Sequence, residues 1–172
     1  GSLPRGAPAE VYARMAGSTA IRSSRLVLDT SGAALKASIA RGGLALIKPS
    51  IGELESLGGS PLKRASEAED AALNLVKTGA SAMVAVTLGK DGGFLADHEG
   101  IYRLPALEIE ALSAVGAGDS FLAGMVQALS EGKSNRQAFR TGMAAGAAAC
   151  LNIGTQLCHK ADVERLLAAM PD

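Results

Sequence analysis

Three short apolar runs in this chain each stop at a polar residue or a glycine: Arg25-Leu-Val-Leu-Asp29, Leu44-Ala-Leu-Ile47 before Lys48, and Met83 to Leu88 before Gly89. Between them lie stretches with helical spacing, one to about Ala40, one from Glu53 to Leu57 and one from Ala71 to Lys77. The last follows Ser66-x-x-Glu69, a capping-box signature. Short strands alternating with helices predict βαβ units, right-handed crossovers and a mostly parallel sheet, hence an α/β fold. In such sheets ligands gather at the carboxyl ends of strands. Asp29, Lys48, Glu53, Thr87 and Gly89 all fall at or just past a strand end, so one chemical rim can be assembled from distant segments.

The remaining pattern completes the domain. Leu3 to Pro8 reads as a turn and Ala9 to about Ile21 as a helix. Phe94–Asp97 and Ile101–Leu104 read as a hairpin around His98-Glu99-Gly100. Ala117 to about Leu129 is a predicted helix with Phe121, Leu122, Met125, Val126 and Leu129 on its apolar face. Ser134-x-x-Gln137 caps a helix running to Cys150, and a last helix covers about Ala161 to Met170. With 172 residues, 48% of them hydrophobic, the chain has one domain's worth of material. Its 17 basic and 17 acidic side chains cancel, which gives no electrostatic case for nucleic acid or an anionic membrane. No apolar stretch is long enough to cross a bilayer. Cys150 and Cys158 match no zinc or redox spacing and read as ordinary thiols of a reducing cytoplasm. His98 and His159 sit in polar turns and receive no role.

The stretch Gly116-Ala-Gly-Asp119 carries the chemistry. Glycines let the backbone turn tightly and bring N–H groups close to a bound oxygen anion. Such groups can hold the charge of a transferring phosphoryl group, while Asp119 could accept the proton of an attacking hydroxyl. The competing reading is an Asp helix cap on a glycine turn. No Gly-Lys-Ser/Thr follows, so this is not a P-loop.

The string Ala114-Val-Gly-Ala-Gly-Asp-Ser-Phe-Leu-Ala-Gly124 resembles the C-terminal signature of the PfkB (ribokinase-like) carbohydrate kinases. Four further segments fall in that family's order: Gly1-Ser-Leu-Pro-Arg-Gly6, Val27-Leu-Asp-Thr-Ser-Gly32, Lys48-Pro-x-x-x-Glu-Leu54 and Val86-Thr-Leu-Gly89. The tail Ala149-Cys-Leu-Asn-Ile-Gly-Thr-Gln-Leu-Cys158 resembles most the minor 6-phosphofructokinase branch. The resemblance implies a three-layer α/β/α fold with a small β lid. Residues 1–172 would then be the C-terminal, nucleotide-binding and catalytic part of a single kinase domain, without the N-terminal half and lid. On that reading Gly1-Ser2 is native sequence at a cut, and the chain alone is expected to be inactive.

The resemblance also implies roles. Asp119 matches the catalytic base, and the N–H groups of Gly116, Ala117 and Gly118 match the anion hole. Lys48 matches a cation near the ATP phosphates, against the alternative of a solvated strand-end lysine. Glu53 matches the acid of the family's Asn-x-x-Glu motif, which organises Mg²⁺ through water, and Asp29 joins the same network. Ser50 stands where that motif has Asn, which puts metal and phosphate handling there in question. Thr87, Leu88, Gly89, Lys90, Asp91 and Gly92 match the loop bordering the nucleotide. Met143 and Ala147 match the adenine groove, although core packing would use the same residue types. Asn152 and Gly154 lie in a loop that holds a monovalent cation, K⁺, in many relatives. The implied reaction is ATP-dependent phosphorylation of fructose 6-phosphate, with fructose 1-phosphate or tagatose 6-phosphate as alternatives. A non-catalytic nucleotide-binding or regulatory relative is the alternative of another class. No nucleic-acid or membrane partner is expected, and the full-length protein could form a homodimer.

Overall fold

The computed structural model describes residues 1–18 and 24–170. Its elements are α1 (Val11–Gly17), β1 (Val27–Leu28), α2 (Gly32–Arg41), β2 (Leu46–Ile47), α3 (Ile51–Gly58), α4 (Ala65–Lys77) and β3 (Val84–Thr87). A 3₁₀ turn (Gly89–Asp91) leads to β4 (Gly93–Asp97), β5 (Gly100–Leu104), α5 (Ala117–Ser130), α6 (Asn135–Cys150) and α7 (Lys160–Ala169). The strands form one sheet in the order β1-β2-β3-β4-β5. β1 pairs with β2 and β2 with β3, both in parallel, and the helices between them supply the crossovers that parallel strands need. β4 and β5 are joined through only His98 and Glu99, a connection short enough for an antiparallel hairpin. The Asp97 carboxylate accepts the Glu99 N–H there at 2.8 Å.

The chain divides into two compact units. The first comprises Gly1–Val86 and Phe94–Tyr102. Its core is the set of strand residues the apolar runs marked out, Leu28, Leu46, Ile47, Val84 and Val86, with Leu35, Leu54, Phe94 and Leu95. The predicted first helix is present as Val11–Gly17, and the part of that expectation beyond Ser18 falls on 19–23, outside the described residues. α3 starts two residues before the predicted Glu53 because Ser50 caps it. α4 starts earlier than its signature suggested. The box is not Ser66–Glu69: Glu67 reaches back to the N–H groups of Lys63 (2.6 Å) and Arg64 (3.2 Å). Arg64, the N-cap, has no side-chain acceptor to offer in return, and Glu69 is buried instead. Those two N–H donors and the Arg64 guanidinium hold the Glu67 carboxyl below its ordinary range.

The second unit comprises Thr87–Gly93 and Arg103–Asp172 and is built on the α5–α6 pair. The Ser134 box forms as expected, with the Ser134 N–H donating to Gln137 Oε1 at 3.0 Å and the Gln137 N–H to Ser134 Oγ at 3.3 Å. Phe121 packs edge-on against Phe139 with centroids 5.7 Å apart. The buried stripe of α5 is Ser120, Phe121, Gly124, Met125 and Ala128, rotated from the predicted one, and Val126 is exposed. Small residues cause the rotation, because they let the backbones of α5 and α6 approach where hydrophobic periodicity would have placed larger side chains. Burial pushes the Cys150 thiol up, in keeping with an ordinary half-buried cysteine.

Candidate active site

In the first unit the site begins with strand register. Val27 lies beside Leu46 and Leu28 beside Ile47, so the next residues, Asp29 and Lys48, leave the sheet side by side. Lys48 Nζ reaches Asp29 Oδ2 at 3.4 Å, and both side chains are largely covered, 15% and 22% exposed. A solvated strand-end lysine is therefore the wrong description of Lys48. Its ammonium is held at the carboxyl end of two parallel strands with a carboxylate partner, which keeps a cation in a partly desolvated place. Pro49 is fully buried and leads into the N-terminus of α3.

That N-terminus is a reciprocal capping box. The Ser50 N–H donates to Glu53 Oε2 at 2.7 Å, and the Glu53 N–H donates to Ser50 Oγ at 3.3 Å. Serine at position 50 thus keeps the helix start that an asparagine would cap about equally well. It also fixes the Glu53 carboxylate with one oxygen committed to the backbone, leaving Oε1 to accept from another donor. Among the described residues no group of three or more His, Cys, Asp or Glu side chains converges on one point.

In the second unit the turn before α5 is tied down from both sides. The N–H groups of Leu112 and Ser113 donate to the Cys150 carbonyl at 2.8 and 3.3 Å. Ser113 Oγ accepts the Val115 N–H at 3.2 Å and donates to the Gly154 carbonyl at 3.0 Å. The turn closes on Gly116, the N-cap of α5, whose φ of +80° is a left-handed conformation that glycine adopts without strain. The Ala117 N–H donates to Ala114 O at 3.3 Å and the Ser120 N–H to Gly116 O at 2.9 Å. Gly118 and Asp119 stand at the second and third helical positions, where N–H groups have no intrahelical acceptor. Asp119 is exposed and makes no capping bond, so it is not the helix cap. What remains is a free carboxylate in the first turn of a 14-residue helix, beside two unused backbone donors.

The nucleotide-loop residues also have a defined place. Thr87 ends β3, and Leu88 to Gly92 fold into a closed turn in which the Leu88 N–H donates to Gly92 O at 2.8 Å. Gly89 is exposed with Lys90 and Asp91, whereas Gly92 is buried against the Leu104 carbonyl. Met143 is 9% exposed and Ala147, one turn further along α6, is half-buried. The Asn152 amide donates to Ala148 O at 3.2 Å and Leu157 O at 3.1 Å, bracing the loop that contains Gly154. Sequence reading assigned Ser113 no role, since its partner lies 41 residues away and leaves no local signal. It likewise missed the two buried hydroxyls without a hydrogen bond among the described residues, Thr30 and Ser120. Each directly follows one of the candidate acids, Asp29 and Asp119.

Comparison with known proteins covers nearly the whole chain. The sequence profile of the pfkB family carbohydrate kinases matches residues 1–162. The ATP-dependent 6-phosphofructokinase isozyme 2 of Mycobacterium tuberculosis is 40% identical over 173 residues, 99% of this chain and 50% of the relative. The 1-phosphofructokinase of Borreliella burgdorferi is 34% identical over 168 residues, 97% of this chain and 53% of the relative. The crystal structure of phosphofructokinase-2 from Escherichia coli in complex with potassium superposes with a TM-score of 0.93 at 35% identity, covering 98% of this chain and 54% of that one. The fold is the ribokinase-like α/β fold. The chain spans about half the length of the curated relatives it matches.

Proposed function

From the premise that the chain belongs to the pfkB family of carbohydrate kinases, we propose that the intact protein phosphorylates a sugar phosphate with ATP, fructose 6-phosphate foremost. The observation that carries the reading is the α5 start, where an unpaired Asp119 stands beside the unused N–H groups of Gly118 and Asp119. An attacking sugar hydroxyl must lose a proton as its oxygen bonds to phosphorus, and Asp119 is the acceptor. Negative charge on the moving phosphoryl group is held by the free N–H groups of Gly118 and Asp119, the Ala117 N–H being taken by Ala114 O, and by the dipole of α5. Lys48 supplies a fixed positive charge for nucleotide phosphates, and Thr87 to Gly92 with Met143 and Ala147 border the nucleotide. When bound, Mg²⁺ neutralises phosphate charge; Glu53 Oε1 and Asp29 are the oxygens that would hold its water shell. The Ser113 hydroxyl and the Gly154 carbonyl, with the loop braced by Asn152, offer oxygens for a monovalent cation such as K⁺.

Fructose 6-phosphate is put first because the relative at 40% identity is a 6-phosphofructokinase. Fructose 1-phosphate is the second reading, because a 1-phosphofructokinase is 34% identical over a similar span. A coupled ADP-release assay of the intact protein on fructose 6-phosphate, fructose 1-phosphate and tagatose 6-phosphate separates them. The highest kcat/KM is expected on fructose 6-phosphate, and turnover of none of the three would remove this substrate assignment. Ser50 does not argue for a dead relative, since it keeps Glu53 in place. Ser50→Asn is accordingly expected to change KM for MgATP less than about threefold and stability by less than about 0.5 kcal/mol, as the two residues are equivalent caps. A tenfold change in KM would show that the amide itself matters to the metal or phosphates.

A further inference from the structure

The turn that carries Asp119 is referenced on both sides to one place, the last turn of α6. On its upstream side, the Cys150 carbonyl accepts the Leu112 and Ser113 N–H groups. On its downstream side the first residue of α5 rests on a glycine: a Cβ built on Gly146 would lie 3.1 Å from Ala117 O and 3.3 Å from Phe121 Cβ. Gly146 and Cys150 are one helical turn apart, so both supports belong to the same piece of α6. We propose that Gly146 is a positioning residue for Asp119. Its bare Cα, together with the Cys150 carbonyl, sets the height of the Gly116–Asp119 turn, and hence where the carboxylate and the free N–H groups stand. The proposal rests on the reading of Asp119 as the base.

Close approach alone does not single Gly146 out. Gly124 is tighter, since a Cβ there would lie 2.7 Å from Ala145 Cβ and 3.1 Å from Thr141 O. That contact falls more than a turn beyond Asp119 along α5, where crowding separates the helices without tilting the first turn. A Cβ built on Gly142 would lie 2.9 Å from the Phe121 carbonyl and 3.1 Å from the Phe121 ring, so crowding there displaces a core side chain. Of these three glycines, Gly146 alone has its nearest atom on the residue between Gly116 and Gly118. A methyl group at that spot makes Ala117 and Phe121 give by a few tenths of an ångström, and a misplacement of about 1 Å can cost about 10²-fold in rate.

The test compares Gly146→Ala with Gly124→Ala in the intact protein, by kinetics and by ¹H–¹⁵N amide spectra. Gly146→Ala is expected to shift the Gly118 and Asp119 amide resonances. It is also expected to lower kcat about tenfold, with KM for both substrates within about twofold. Gly124→Ala should lower the melting temperature and leave those amides and kcat in place. Leu112→Pro, which deletes one donor to Cys150 O in an exposed loop, should reproduce the kcat loss even if Gly146→Ala fails to fold. Unchanged Gly118 and Asp119 amides in Gly146→Ala would overturn the proposal, and so would an equal kcat loss in Gly124→Ala. If wild type turned over no sugar phosphate, the kinase reading would fall, while the amide shifts would still decide whether Gly146 seats the turn.

Discussion

Asp119→Asn is expected to lower kcat of the intact protein by about 10²- to 10⁴-fold, the usual contribution of a positioned general base. Asparagine keeps the shape and hydrogen-bonding reach of the side chain but cannot take a proton. Asp119 is exposed, caps nothing and pairs with nothing among the described residues, so its loss leaves no structural contact broken. Stability is therefore expected to stay within about 0.5 kcal/mol, as for other surface changes. KM for ATP should move little, because the base acts on the hydroxyl in the transition state and not on bound nucleotide. A steady-state comparison on fructose 6-phosphate checks all three statements. Retention of full kcat would remove Asp119 from the chemistry and leave it an acid favoured by the helix dipole.

The largest effect on stability is expected at Gly92, in the turn after β3. Its φ is +87°, and an added Cβ would lie 2.1 Å from Leu104 O, with Pro105 C and Ala106 N also inside 3 Å. No side chain can yield there, because all three obstacles are backbone. Gly92→Ala must therefore displace either the turn or the Leu104–Ala106 segment, at a cost of about 4 kcal/mol, the upper range for single substitutions. Gly132→Ala is the matching control: its φ of +79° is similar, but nothing lies within 4 Å of its Cβ. It should cost only the left-handed penalty of about 1–2 kcal/mol. Urea unfolding of both variants separates clash from strain, and equal losses would show that backbone conformation alone explains Gly92.

Much of this was legible in the residues because the strand ends write themselves. An apolar run that stops at Asp29, and another that stops at Lys48, place a pair once the parallel register is known. The Gly116–Asp119 turn was equally plain, since glycines followed by an acid and an apolar helix have few uses. Reading failed where the deciding interaction was not local. Ser66 and Glu69 satisfied the capping pattern, yet Glu67 won because it could reach two N–H groups and the Arg64 guanidinium at once. Val126 fitted the apolar period but is exposed, because α5 meets α6 through glycine and alanine that carry almost no hydrophobic signal. Ser113 and Gly154, far apart in the chain, could be joined only by the fold.

Phosphorus NMR of the intact protein with MgATP and fructose 6-phosphate, wild type beside Asp119→Asn, tests the central claim most directly. Wild type should convert the γ-phosphate resonance of ATP into a new phosphomonoester resonance on the sugar, in step with ADP, and Asp119→Asn should leave both substrates intact over the same interval. Transfer to water in place of the sugar, or equal conversion by the two proteins, would contradict it.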